Sequence, residues 1–318
     1  MAEIGKDIYK AIKFLNENKP LAIPTETVYG LAGNALSEEA VRQIYKVKNR
    51  PLHNPLIVHI GTKHDVHKYS NEVPKKANQL IEAFWPGPLT LLLPKKNIIP
   101  DITTSGKPNV AIRMPNHPMT LELLSYLEYP LAAPSANPFG YISPTMPQHV
   151  QQQIGDKIPY ILDGGICDKG IESTIVGFEN GQPVVYRLGA ITQEALEIVV
   201  GTIQLITKDN ISPIAPGMLL KHYSPTTLTI FTDNIKNAIS SNSKKRIGLL
   251  LFDKPFPCSE IMHQEVLSDC SDLNEAAKKL YAALHRLDNY KLDLIIAERF
   301  PDTGIGKTIN DKLERASK

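Results

Sequence analysis

Ala22-Ile23-Pro24-Thr25-Glu26-Thr27-Val28-Tyr29-Gly30-Leu31 runs from a short apolar strand into a polar turn. Pro24 stops any helix, two threonines and a glutamate follow, and Gly30 closes the turn. A strand that ends in hydroxyls and a carboxylate is how an α/β protein presents binding groups at the edge of its sheet. Upstream, Ile4, Ile8, Ala11, Ile12 and Leu15 share one helical face that ends before Pro20. Downstream, Ser37 is placed to cap a helix that begins with two acids and ends near Lys48.

Further out, strands are expected at 56–60, 89–93, 110–114, 130–133, 160–162, 174–178 and 184–187. Helices are expected at 74–85, 118–127, 148–153 and 192–199. Some strands follow one another directly, so a mixed sheet is expected. Periodicity then weakens, and Ser212-Pro213-Ile214-Ala215-Pro216-Gly217 suits neither helix nor strand. Beyond it, apolar strands at 228–231, 247–252 and 294–297 alternate with helices, the clearest at 273–287, as in a parallel α/β unit. The expected division is a catalytic domain over 1–202, a linker or lid over 203–227, and a small Rossmann-like domain over 228–318.

A chain of 318 residues is long enough for two cores, and 42% hydrophobic residues supply them. A net charge of +2 is too mild for a surface that coats nucleic acid or membrane, so an anionic ligand needs a local cluster. Three cysteines without a C-x-x-C pair argue against a disulfide framework or structural zinc and fit a reducing compartment. The first residues lack the pattern of a signal peptide and no apolar run spans a bilayer, so a soluble, cytoplasmic protein is expected.

Several polar blocks carry chemistry. Lys48-Asn49-Arg50 with Asn54 can clamp phosphate oxygens, although basic residues at a helix end also complement its dipole. His59 lies within a strand, where histidines are more often structural than functional. Arg113 ends an apolar strand and needs an anion, either Glu26 or a ligand carboxylate. Ser135 and Ser143 sit in Pro- and Asn-rich stretches that read as a ligand-approaching loop or as plain turns. Ser173 and Arg187 mark strand ends, and Lys221-His222-Tyr223-Ser224-Pro225 crowds functional side chains into the linker, as a lid or a tether. Gly304-Ile305-Gly306-Lys307-Thr308 is no P-loop, because Pro301 stands where its first glycine belongs. His64 and His67 read as solvated surface.

In order and spacing, these blocks resemble the threonylcarbamoyl-AMP synthase family, with its YrdC-type domain in the long form that carries a linker and a C-terminal extension. The resemblance implies a twisted mixed sheet with a concave cationic cavity. It also implies condensation of L-threonine, bicarbonate and ATP to threonylcarbamoyl-AMP and pyrophosphate, for transfer by a partner complex to tRNA next to the anticodon. By that resemblance Thr27, His59, Arg113, Ala133 and Ser173 hold threonine. Arg50, Asn54, Asn109, Ser135, Ser143, Arg187 and Tyr223 hold ATP, and Lys48 stabilises charge at the reacting phosphate. Magnesium is expected on the phosphates, with no protein metal site, and direct contact with tRNA is left open. The sequence departs from the family at Asn109, where Thr or Ser is expected, at Pro138-Phe139, and at Asn310-Asp311-Lys312 in the last helix. The competing reading is a non-catalytic RNA-binding or ribosome-assembly protein that uses the same cavity.

Overall fold

The computed structural model describes residues 1–206, 222–258, 261 and 263–318. The chain opens with β1 (Glu3–Gly5), α1 (Ile8–Asn16), β2 (Leu21–Ile23), β3 (Gly30–Asn34), α2 (Glu38–Lys48) and β4 (Ile57–His59). It continues with α3 (Val66–Tyr69), α4 (Lys75–Phe84), β5 (Leu89–Pro94), α5 (Asp101–Thr104), β6 (Asn109–Arg113) and α6 (Pro118–Ser125). Next come β7 (Leu131–Ala132), α7 (Pro147–Ile154), β8 (Tyr160–Leu162), β9 (Thr174–Glu179), β10 (Gln182–Arg187), α8 (Gln193–Val200) and β11 (Gln204–Leu205). These strands form one mixed sheet in the order β1-β8-β2-β3-β7-β4-β6-β5-β9-β10-β11.

The helix expected from Ile4 starts only at Ile8, where Asp7 accepts a hydrogen bond from the Lys10 amide as N-cap. Glu3–Gly5 instead pairs with β8, because pairing satisfies the backbone at the sheet edge before the helix begins. Ser37 caps α2 through the Ala40 amide, as its sequence suggests. Gln204–Leu205, read from sequence as linker, adds a strand beside β10, and Ile203 is buried in the large core. The rest of that segment, Thr207 to Lys221, lies outside the described residues.

The second sheet comprises β12 (Thr229–Thr232), β13 (Ile247–Leu251), β14 (His263–Val266) and β15 (Leu294–Glu298). All its pairings are parallel, in the order β12-β15-β13-β14. The polar edge strand β14 has no apolar signature and escapes a sequence reading. Three helices accompany this sheet: α9 (Ile235–Ser240), α10 (Leu273–Asn289) and α11 (Ile305–Ala316).

The two sheets meet through α10 and α11. The backbone of Lys278 lies so close to Gly170 (φ 68°) that a Cβ there would collide with it. Across the same seam, the His149 ring of α7 sits 4.0 Å from the His285 ring of α10. Burial pushes His149 down to about 3 and His285 down to about 4, from the ordinary 6.5. A folded-state pKa below the unfolded one means that unfolding takes up protons between those values. This stabilisation is therefore complete above about pH 6.5 and lost as pH falls toward 4. A thermal-melting series from pH 7.5 to 4.5 is expected to show a falling Tm, with a shallower fall in His285→Gln. An identical slope in the variant would remove the histidine pair as the cause.

Candidate functional site

The turn after β2 is held by its own side chains. Thr25 Oγ1 accepts from the Thr27 and Val28 amides, donates to the Val28 carbonyl at 2.7 Å, and lies 2.8 Å from Thr27 Oγ1. Two later loops are laced onto it. Tyr29 and Leu31 donate their amides to the carbonyls of Pro144 and Pro134, and Ala136 donates to Tyr29. The Tyr29 hydroxyl donates to Gly165, and the Lys169 amide donates to Glu26. The opening stretch is thus the scaffold of a cavity, with Thr25, Thr27, Val28 and Gly30 in its wall.

The cavity wall includes Thr27, His59, Arg113, Ala133, Ser173, Arg50, Ser135, Arg187 and Tyr223. Sheet register brings several of them together. His59 and Arg113 are partners in the parallel β4–β6 pair, both at the C-terminal end of their strands. Ser173 precedes β9, and Arg187 ends the antiparallel β10, so the two meet. Arg187 donates from Nε and Nη2 to the Ser173 carbonyl, at 3.0 and 2.8 Å, and from Nη2 to Ser173 Oγ at 2.9 Å. Gly189 allows this approach, since a Cβ there would lie 2.3 Å from the Ser173–Thr174 backbone.

Arg113 Nη2 lies 2.8 Å from Glu26 Oε2, with both side chains buried. Glu26 Oε2 also accepts from the Asn116 amide, and Arg113 Nε donates to the Gly87 carbonyl. Arg113 Nη2 and Glu26 Oε1 nonetheless have no hydrogen-bond partner of good geometry among the described residues. The contact is therefore an ion pair that leaves donors facing the cavity, where a carboxylate can accept them. Beside it, burial and the Arg113 charge push His59 down to about 3, so its ring is neutral. Its Nδ1 has no partner among the described residues.

Arg50 is fixed by Nε and Nη2 bonds to the Asn54 carbonyl, the Asn54 side chain and the Pro55 carbonyl. Burial lowers it to about 10, still charged at neutral pH. Asn54 is thus the bracket of Arg50 and does not line the cavity. Ser143 does not line it either: its hydroxyl donates to Glu172 at 2.6 Å. Asn109 stands at the opposite end of β6 from Arg113, paired with Pro94, because a five-residue strand separates the two ends.

Lys48 is 1% exposed and also lies outside the cavity wall. Its ammonium donates to the carbonyls of Ser135 and Asn137, each at 2.5 Å. Burial and the Arg50 charge lower its pKa well below the ordinary range. The residue expected to face the reacting phosphate instead anchors the loop that carries Ser135.

Tyr223 holds a left-handed backbone (φ 65°) and places a buried hydroxyl with no partner among the described residues at the cavity. Of the 221–225 block, Lys221 lies outside the described residues, whereas His222 lines the cavity beside Tyr223. Glu172 also lines it, although only its neighbour Ser173 stood out in the sequence. The Gly304–Thr308 segment binds no phosphate cradle here: Thr308 donates to the Gly189 carbonyl, and Lys307 pairs with Glu194 at 2.7 Å. The Asn310-Asp311-Lys312 departure in the last helix reaches the site, for Lys312 donates to the Leu188 carbonyl and lies 4.9 Å from the Tyr223 ring centre.

A mixed sheet with a second parallel sheet, and an arginine-lined cavity between strand ends and the 222–223 segment, define an α/β protein with a site suited to small anions. Comparison with known proteins gives the class its name. The family described as "Telomere recombination", the Sua5, YciO and YrdC group, matches residues 13–189. The family described as "Threonylcarbamoyl-AMP synthase, C-terminal domain" matches residues 191–318. The threonylcarbamoyl-AMP synthase of Bacillus subtilis is 39% identical over 98% of this chain and 92% of its own. That of Pyrococcus abyssi is 36% identical over 96% and 93%. The crystal structure of P. abyssi Sua5 complexed with L-threonine superposes with a TM-score of 0.92 at 35% identity, covering 100% of this chain and 97% of that one. The chain belongs to the threonylcarbamoyl-AMP synthase family.

Proposed function

We propose that the cavity condenses L-threonine, bicarbonate and ATP to threonylcarbamoyl-AMP, the product for which the family is named, and pyrophosphate. The observation that carries this reading is the buried Arg113–Glu26 pair beside neutral His59, in one cavity with Arg50 and Arg187. Arg113 takes the threonine carboxylate, with Thr27, His59, Ala133 and Ser173 around the amino acid. Arg50, Ser135, Arg187 and Tyr223 take the nucleotide. Asn54 and Ser143 act one step back, through Arg50 and Glu172. The binding of L-threonine by a relative of the same fold supports the amino-acid half.

The chemistry suits these side chains. The threonine amine adds to the carbon of bicarbonate with loss of water, or to dissolved carbon dioxide with loss of a proton, and either route gives a carbamate. A carbamate oxygen attacks the α-phosphorus, and the bond to the β-phosphate oxygen breaks to release pyrophosphate. Nucleophile and leaving group are both anionic, so fixed cations offset their repulsion and no protein nucleophile is required. Among the described residues no three His, Cys, Asp or Glu side chains gather at metal spacing. Magnesium carried on the phosphate oxygens would supply further charge neutralisation.

In this reading 1–206 is the catalytic domain, since β11 belongs to its sheet, and 228–318 is an auxiliary domain. The product is consumed by a partner complex that modifies tRNA in the cytoplasm. No described helix is long and apolar enough to cross a membrane. Pyrophosphate release from ATP is expected to depend on both threonine and bicarbonate; release at the same rate without threonine would overturn the assignment.

A further inference from the structure

Two buried carboxylates stand at the cavity, Glu172 in its wall and Glu26 behind Arg113, and they are held differently. Glu26 faces Arg113, whereas Glu172 accepts one hydrogen bond on each oxygen. Ser143 supplies the first, at 2.6 Å to Oε1. The second comes from the other domain: the Tyr281 hydroxyl of α10 donates to Oε2 at 2.7 Å. Burial and the neighbouring carboxylate keep this phenol protonated, far above its ordinary 10, so it is always a donor. Tyr281 is fully buried, and its ring stacks on that of Tyr223 at 5.6 Å between centroids. A phenylalanine there keeps the stack and removes only the donor.

A carboxylate in a pocket for a triphosphate is a hazard, because each unit of negative charge opposes the ligand. Glu172 lines the cavity, and the groups around it pin its carboxylate to the wall. Arg187 and Lys312 stand in the same electrostatic neighbourhood, and Lys312 is pinned by the Leu188 carbonyl and Asp311. Ser143 and Tyr281 together occupy both oxygens and fix the plane of the carboxylate. Resting on the nucleotide assignment above, we propose that Tyr281, from the C-terminal domain, is a positioning residue for ATP that holds the Glu172 carboxylate away from the triphosphate. The second domain thereby contributes to the first domain's substrate affinity through a single hydroxyl.

The test is a double-mutant cycle read by calorimetric titration of the full-length protein with ATP and, separately, with threonine. Tyr281→Phe is expected to weaken ATP binding about tenfold, the scale of one hydrogen bond to a charged group. Threonine affinity should stay within about twofold, since the Arg113 pair is untouched. In a Glu172→Gln background, where no negative charge is left to misplace, Tyr281→Phe should change ATP affinity less than about twofold. Equal ATP losses in both backgrounds, no loss in either, or parallel losses of ATP and threonine would each overturn the proposal. Because the cycle reads binding and not turnover, its outcome is separate from whether threonine drives pyrophosphate release.

Discussion

Replacing Arg113 with alanine is expected to weaken threonine binding by about a hundredfold or more, while ATP affinity changes only a few-fold. The guanidinium is buried between Glu26 and the cavity, so its donors act in a medium that screens charge poorly. Alanine also leaves Glu26 buried and unpaired, which costs about 3–5 kcal/mol of stability. Loss of binding could then reflect loss of fold, and Arg113→Lys separates the two. Lysine keeps a cation beside Glu26 but lacks the planar fork that grips a carboxylate through two bonds. The lysine variant should melt closer to the parent than alanine does and still bind threonine at least tenfold more weakly, by calorimetry. Parent-like threonine affinity in the lysine variant would take the carboxylate away from Arg113.

Replacing Lys48 with methionine is expected to lower both melting temperature and turnover. The side-chain stem still fits, but the carbonyls of Ser135 and Asn137 lose their shared buried donor. Each unpaired buried carbonyl costs about 1–3 kcal/mol, or several degrees in Tm for a domain of this size. The same loop carries Ser135 to the cavity wall and Asn137 beneath it. Its loosening should cut turnover by about a hundredfold, the usual penalty for a binding group misplaced by an ångström. A variant with unchanged Tm and a purely kinetic defect would return Lys48 to the reacting phosphate. The ammonium would then have to leave its two carbonyls when ATP binds.

Sequence patterns reach far into this fold because its central strands are apolar and bounded by prolines. Leu89–Pro94 and Asn109–Arg113 were legible for that reason, as was the capped helix from Glu38. Short edge strands were not. Glu3–Gly5 and His263–Val266 carry little apolar signal and exist because a neighbouring strand offers a ladder. In the site, strand-end residues such as His59, Arg113 and Arg187 could be read from position, since a polar group ending a buried strand points at the sheet's open edge. Which way a side chain turns could not be read. Lys48 and Ser143 look like ligand-facing residues in sequence, yet their donors face Ser135 and Glu172. Tyr281 and Lys312 lie in ordinary amphipathic helices, and nothing local marks them as neighbours of Glu172 and Tyr223. Only the docking of α10 and α11 on the first domain gives them that place.

The most direct test of the central claim follows the bicarbonate carbon. The protein is incubated with ATP, threonine and carbon-13 bicarbonate, and the nucleotide products are resolved by mass spectrometry. An adenylate carrying both threonine and one labelled carbon, in step with pyrophosphate, is the expected product. AMP or ADP without threonine or label, formed equally well when threonine is withheld, would contradict the assignment of this cavity.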